Sequence, residues 1–216
     1  MKARIKPGTT TRVARSLVTP PRQGHHVRDN LRFLRLWLRR PASFGALLPS
    51  GKSLARAIAA QIDPTRPGTV VELGGGTGSI TAALLERGIA TDDLLVIERE
   101  IALVNLLSAR FPSIQVLSGD ARRTASLVAR ARVGPVKAVV SGLPLLSLPA
   151  TVCHEVITQA FKVLPADGTM VQFTYGPLSP VSRSLAERLD IVGERVDWVL
   201  DNVPPASVWS YHRRRR

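Results

Sequence analysis

The chain has 216 residues, 44% hydrophobic and 21% charged, which suits one domain of α/β size better than two. Folding at this length removes roughly 70% of the unfolded surface from water, so neither disulfides nor a bound metal is needed for stability, and the single cysteine, Cys153, can make no internal disulfide and no zinc cluster. Apolar stretches are broken by Pro, Gly or charge short of the ~20 residues of a membrane span, and no secretory-type apolar segment follows the basic start, so the composition points to a reducing compartment, the cytoplasm.

The net charge of +14 is unevenly placed. Residues 1–40 hold eleven Lys/Arg and one acid, Asp29; Arg213 to Arg216 add four positive charges; residues 41–212 carry fifteen of each sign. The division is therefore a basic extension over 1–40 and a neutral globular domain within 41–216. Basic tails of this kind hold polyanions, either nucleic acid or an anionic membrane surface.

Within the extension, His26 to Arg40 contains no Pro or Gly. On a helical wheel Val27, Leu31, Leu34, Trp37 and Leu38 form one apolar arc, and Arg28, Arg32, Arg35 and Arg39 form a stripe beside it. This is the pattern of a helix lying in a lipid interface, where each Arg near anionic lipid contributes on the order of 1 kcal/mol. An ordinary helix packed on the domain with solvated arginines is the alternative. Pro41 ends the segment.

From residue 44 strands and helices alternate. Strands are predicted over Thr69–Leu73, Leu94–Ile97, Ile114–Leu117, Lys137–Val140 and Thr169–Tyr175, with helices over Ser79–Arg87, Ile101–Arg110 and Val152–Leu164. That rhythm implies an α/β fold, a parallel sheet covered by helices on both faces. Val196–Leu200 and Ser207–His212 read as two further strands with no helix between them, an antiparallel hairpin closing one sheet edge.

The first strand runs into Glu72-Leu73-Gly74-Gly75-Gly76-Thr77-Gly78. Glycines permit a tight turn and close approach to a ligand, and the next helix opens with free N–H groups. Glu98 ends the second strand, where a carboxylate can accept the hydroxyls of a ribose, and Asp120 follows the third. Three acids at three strand ends, with no Lys-Ser/Thr after the glycines, suit a nucleoside ligand that is neutral or cationic and disfavour a nucleoside triphosphate.

These motifs resemble those of the class I S-adenosylmethionine-dependent methyltransferases, over residues 42–212. The resemblance implies a seven-stranded, Rossmann-like sheet with the C-terminal hairpin, and S-adenosyl-L-methionine as cofactor with S-adenosyl-L-homocysteine as product. It assigns cofactor binding to Ser50, Glu72, Gly74, Gly75, Gly76, Thr77, Gly78, Glu98, Arg99, Asp120, Ala121 and Ser141. No metal is implied. The Ser141-Gly142-Leu143-Pro144-Leu145-Leu146 segment is similar to the fourth, catalytic-side motif. In the related rRNA adenine dimethylases this site carries an Asn and an aromatic that clamp a flipped base; here Gly142 and Leu145 stand there. Together with Phe44–Gly51, Gln172–Gly176 and Pro204–Trp209 the pattern resembles the bacterial phospholipid N-methyltransferases. Those enzymes convert phosphatidylethanolamine through its mono- and dimethyl forms to phosphatidylcholine.

Such chemistry asks mainly for alignment of an amine with a sulfonium methyl and for an apolar pocket that lowers the amine pKa. Tyr175 is the first candidate to hold the amine, with the Ser141, Gly142 and Leu143 carbonyls beside it. His154 is a weaker candidate proton acceptor, and Arg183 a candidate for the lipid phosphate. The expected partners are phosphatidylethanolamine and an anionic membrane surface at the cytoplasmic face, with no protein partner. An RNA adenine methyltransferase that uses the basic tails on phosphates is the competing expectation.

Overall fold

The computed structural model describes residues 49–202 and 204–214. The amphipathic segment over His26–Arg40, and with it Arg28, Arg32, Arg35, Trp37 and Arg39, lies outside the described residues.

The elements in order are α1 (Pro49–Ala59), β1 (Thr69–Leu73), α2 (Ser79–Glu86), β2 (Leu94–Glu98), α3 (Ile101–Arg110), β3 (Gln115–Ser118), α4 (Thr124–Ala131), β4 (Val136–Ser141), α5 (Ala150–Val163), β5 (Thr169–Tyr175), α6 (Arg183–Arg188), β6 (Ile191–Val199) and β7 (Ala206–Arg213). The seven strands form one sheet in the order β3-β2-β1-β4-β5-β7-β6. Strands β1 to β5 are mutually parallel, and β7 runs antiparallel between β5 and β6. The α/β sheet with its closing hairpin is as the sequence predicts.

Strand β1 is buried along its whole length, which explains why Thr69-Val70-Val71-Glu72-Leu73 reads as a near-continuous apolar run: a central parallel strand has helices on both faces. On one face Val70, Val96 and Val140 pack against α1, α2 and α3 through Leu54, Ile58, Leu84 and Leu107. On the other, Val71, Leu73 and Val139 meet α4, α5 and α6 through Leu127, Val156, Ile157 and Leu185. Each fully buried Val, Leu or Ile contributes ~1.5–3 kcal/mol, so these two layers carry the stability of the domain.

Several boundaries differ from the sequence reading. Helices α4 and α6 have only eight and six residues, too short for a clear 3.6-residue period, and were not predicted; nor was α1. Strand β6 starts at Ile191, five residues before the predicted Val196, and Leu200 falls in the following turn. Gly193-Glu194-Arg195 lacks strand character because β6 is an exposed edge, held by its ladder with β7 rather than by burial. Among the described residues no helix is long and apolar enough to cross a membrane.

Candidate functional site

Parallel register lines up the strand ends. One row across the sheet runs Leu117, Ile97, Leu73, Ser141, Gln172 and Trp209. Connections leaving β1 and β4 diverge to opposite faces, which opens a crevice at the carboxyl ends of these strands. Two backbone hydrogen bonds extend the ladder into it: the Gly74 N–H donates to Ile97 O and the Gly142 N–H to Leu73 O, both at 2.8 Å.

Gly74, Gly76 and Gly78 adopt φ of +75°, +55° and +84°, a left-handed region that other residues enter only at a cost. A Cβ at Gly74 would stand 2.6 Å from Leu143 Cδ2, whereas at Gly76 nothing lies within 4 Å. The loop is packed tightly from behind and open in front, as a cradle for a ligand requires. Thr77 is exposed at its tip, and Arg110 donates to the Thr77 carbonyl at 2.7 Å.

Glu72 is completely buried. Its Oε2 accepts from the Thr81 hydroxyl at 2.7 Å, while Oε1 has no partner among the described residues. Burial pushes its pKa up to about 8, against the opposing effect of the Thr81 hydrogen bond. The orphaned, buried carboxyl oxygen beside the glycine loop is a polar group that the described residues leave unsatisfied.

Glu98 is held by backbone donors: Oε1 accepts from the Arg99 and Glu100 N–H groups at 2.7 and 2.9 Å, and Oε2 from the Gly76 N–H at 3.0 Å. With two lone pairs per oxygen, one acceptor position remains open, on Oε2. Accepting both ribose hydroxyls, as expected from sequence, therefore requires one of these three backbone N–H groups to give way, and the Gly76 contact couples β2 to the loop. Asp120 is engaged by Arg122, whose guanidinium contacts both carboxylate oxygens at 2.7–3.1 Å. Those hydrogen bonds hold its pKa below the usual carboxylate range. Ala121 opens the short turn that Asp120 caps.

Beyond β4, Ser141 is buried and its hydroxyl accepts from the Leu143 N–H at 3.4 Å. A Cβ on Gly142 would approach Gly74 O to 2.7 Å, so this position admits no side chain without separating the two loops. Leu145 is buried. The Leu143 carbonyl already accepts from Gln172 Nε2 at 2.8 Å and from the Leu145 N–H at 2.9 Å, which leaves it no lone pair for an amine. Gln172 was not predicted as a site residue. It is fully buried, its Nε2 also donates to Phe173 O, and its Oε1 is unpartnered among the described residues. Its signal in the sequence is a polar amide inside Met170-Val171-Gln172-Phe173.

Tyr175 ends β5, its ring edge-on to Phe173 at 5.4 Å, and desolvation raises its pKa; the hydroxyl is neutral at physiological pH. The remaining predicted residues make no side-chain contact with these groups among the hydrogen bonds of the described residues. Ser50 lies in the first turn of α1. Arg99 is exposed, and Arg183 is exposed and paired with Glu187 at 3.7 Å. His154 Nδ1 lies 3.3 Å from Arg188 Nη2 and lines a separate cavity of about 530 Å³ with Arg122, Lys162 and Arg188.

No family model matches the chain. Over 154 residues it is 30% identical to an ornithine lipid N-methyltransferase of Singulisphaera acidiphila, spanning 70% of this chain and 80% of that protein. Among solved structures it is similar to a TehB-like S-adenosylmethionine-dependent methyltransferase from Corynebacterium glutamicum, at 18% identity and a TM-score of 0.55 over 88% of this chain and 98% of that one. It is also similar to the Burkholderia thailandensis 1,6-didemethyltoxoflavin-N1-methyltransferase, solved with 1,6-didemethyltoxoflavin and S-adenosylhomocysteine, at 14% identity and a TM-score of 0.59 over 92% and 94% of the two chains. These structural likenesses carry the fold.

Two predictions follow from the buried polar groups. Between pH 4.5 and about 8 the unfolded chain ionises Glu72 while the folded chain keeps it protonated, so this group lowers stability as pH rises, by up to ~1.4 kcal/mol per unit, and the loss levels off above the folded pKa. Glu72→Gln should remove that decline in urea midpoints measured across this range. Replacing Gln172 by Met should free the Leu143 carbonyl and speed amide hydrogen exchange at Gly142 and Leu145, with β1 and β2 amides unchanged.

Proposed function

Since the chain belongs to the lipid N-methyltransferases of the class I S-adenosylmethionine-dependent methyltransferase family, which methylate a lipid amine, we propose that its substrate is the head-group amine of phosphatidylethanolamine, converted stepwise toward phosphatidylcholine at the cytoplasmic face of a membrane. The observation that carries this reading is the floor formed by Gly142 and Leu143, which carries no polar side chain and is backed by the buried Leu145. Gly142 has no room for the amide that would hold a planar base, whereas a flexible aliphatic amine needs no such clamp. The ornithine lipid specificity of the Singulisphaera relative favours a second reading, an aminolipid without phosphate. An RNA substrate is disfavoured by the same floor.

S-adenosyl-L-methionine supplies an electrophilic sulfonium methyl when bound. The Gly74–Gly78 loop would hold its amino-acid portion, and a positive charge bound in front of that loop would draw the buried Glu72 carboxyl behind it toward ionisation. The open acceptor of Glu98 takes a ribose hydroxyl, and the Asp120-Ala121 turn borders the adenine. Ser141 joins this set through its hydroxyl. On the substrate side the Tyr175 hydroxyl, which makes no hydrogen bond to another described residue, orients the amine. The Ser141 and Gly142 carbonyls offer the acceptors that Leu143 cannot. Each methyl transfer would form an N–C bond as the S–C bond breaks, after the ammonium proton has passed to solvent water, and an apolar surround lowers that pKa. Arg183 is available to the lipid phosphate. The Arg28, Arg32, Arg35 and Arg39 stripe with Trp37 attaches the enzyme to anionic lipid, as domain 1–40 of a two-part chain whose catalytic domain is 41–216.

Incubation with methyl-labelled S-adenosylmethionine and either phosphatidylethanolamine vesicles, ornithine lipid vesicles or rRNA tests the substrate: label is expected in phosphatidylethanolamine, and label only in RNA would overturn the reading. Glu98→Ala should weaken cofactor binding by roughly 1.5–3 kcal/mol in calorimetric titration, and unchanged affinity in a folded variant would refute the ribose assignment. Trp37→Asp is expected to cut transfer to vesicle lipid while sparing a soluble short-chain analogue.

A further inference from the structure

Of the large apolar side chains exposed among the described residues, the four most exposed are Leu178, Leu200, Ile101 and Leu146, at 71, 68, 57 and 46%. All four stand at one end of the sheet. Ile101 follows the end of β2, Leu146 the end of β4 and Leu178 the end of β5. Leu200 follows β6, whose last residue, Val199, pairs with Ala206, which in turn pairs with Tyr175. That end is the one that carries the glycine loop, Glu98 and Tyr175.

Leu178, Leu200 and Leu146 sit on anchored turns rather than loose ones, and Ile101 opens α3. Beside Leu178, the Ser179 hydroxyl is 2.8 Å from the buried Tyr211 hydroxyl and holds the Val181 N–H. Beside Leu200, Asp201 accepts from Ser53 at 2.6 Å and the buried Asn202 donates to Pro204 O. Leu146 lies on a turn that Cys153 Sγ binds through Leu145 O. A pinned turn cannot fold an exposed leucine back into the core, and a soluble surface gains nothing by gathering such residues at one edge. Arg99 and Arg123 are exposed on the segments leaving β2 and β3, interspersed with the exposed acids Glu100 and Asp201, so the edge offers guanidinium groups without a net positive field.

We propose that the carboxyl end of the sheet is itself a membrane-docking rim: Leu178, Leu200, Leu146 and Ile101 enter the acyl region of a phospholipid bilayer while Arg99 and Arg123 meet lipid phosphates. This rests on the lipid substrate reading and adds to it the orientation of the enzyme, with the crevice opening directly onto the bilayer so that a head group reaches the site without leaving the interface.

The test uses the full chain carrying an environment-sensitive nitrobenzoxadiazole label on Leu178→Cys, Leu200→Cys or Val192→Cys; the native Cys153 is buried. Val192 is the control, exposed at 37% but paired with His212, itself the partner of Thr169, at the opposite end of the sheet. On vesicles of phosphatidylethanolamine with phosphatidylglycerol, labels at 178 and 200 should shift to the blue and be quenched by nitroxide-bearing acyl chains, and the label at 192 should do neither. Unshifted labels at 178 and 200 on protein that sediments with the vesicles would overturn the rim, as would an equal shift at 192. The double variant Leu178→Asp/Leu200→Asp should lower transfer to vesicle lipid roughly tenfold with transfer to a monodisperse short-chain amine lipid retained. Equal loss on both substrates would refute the rim and leave the substrate reading intact. Blue-shifted labels on a chain that methylates no lipid would refute the substrate reading and leave the rim standing.

Discussion

The glycine loop and the loop after β4 both take their position from β1. This strand is buried from Thr69 to Leu73 and lies between β2 and β4, so its hydrogen-bond ladder runs on past its own end into both neighbouring loops. The Gly74 N–H to Ile97 O bond fixes the start of the glycine loop against β2, and the Gly142 N–H to Leu73 O bond fixes the post-β4 loop against β1. A parallel ladder has no freedom to slip without moving each side chain to the other face. The carboxylates of Glu72 and Glu98 and the Ser141–Leu143 turn are thereby held in one register.

The electrostatics of the crevice are graded by environment. Glu72, buried with one orphaned oxygen, is kept protonated near neutral pH by desolvation. Glu98 is satisfied by three backbone N–H donors and retains one acceptor position. Asp120 is neutralised by Arg122 at the surface. Three acids of the same apparent kind thus offer a latent negative charge, a hydrogen-bond acceptor and a structural cap. A cationic ligand with a hydroxylated sugar fits that gradient better than a polyphosphate, which would meet carboxylates with no lysine to offset them.

The two loops also limit each other. Gly142 lacks room for a side chain because Gly74 O is in the way, and Gly74 lacks room because Leu143 fills it. The cost of this packing is a crevice floor without polar side chains, and on the proposed reading specificity comes from the surroundings: the Tyr175 ring, the backbone carbonyls left open by Gln172, and the surface to which the crevice is presented. For a lipid amine the last would weigh most, since a bilayer concentrates and orients the head group before any contact with the floor.

The chain order of strands, the glycine loop and the acids at strand ends were legible in the sequence because each depends on local rules: apolar runs for buried parallel strands, glycine for left-handed turns, a carboxylate closing a strand. The closing hairpin was legible from two strands without a helix between them. Helices α4 and α6 were not, being too short to display a period, nor was the start of β6, whose residues pair at an edge instead of packing in the core. Only the tertiary structure decided what the polar groups do. That Leu143 O is unavailable, that Glu98 has one free acceptor, that His154 faces Arg188, and that Leu146, Leu178 and Leu200 share an edge with Ile101 all follow from contacts between residues distant in the chain. Sequence spacing measures distance along the backbone, and these contacts are set by which strands pair and which end of each strand they bring together.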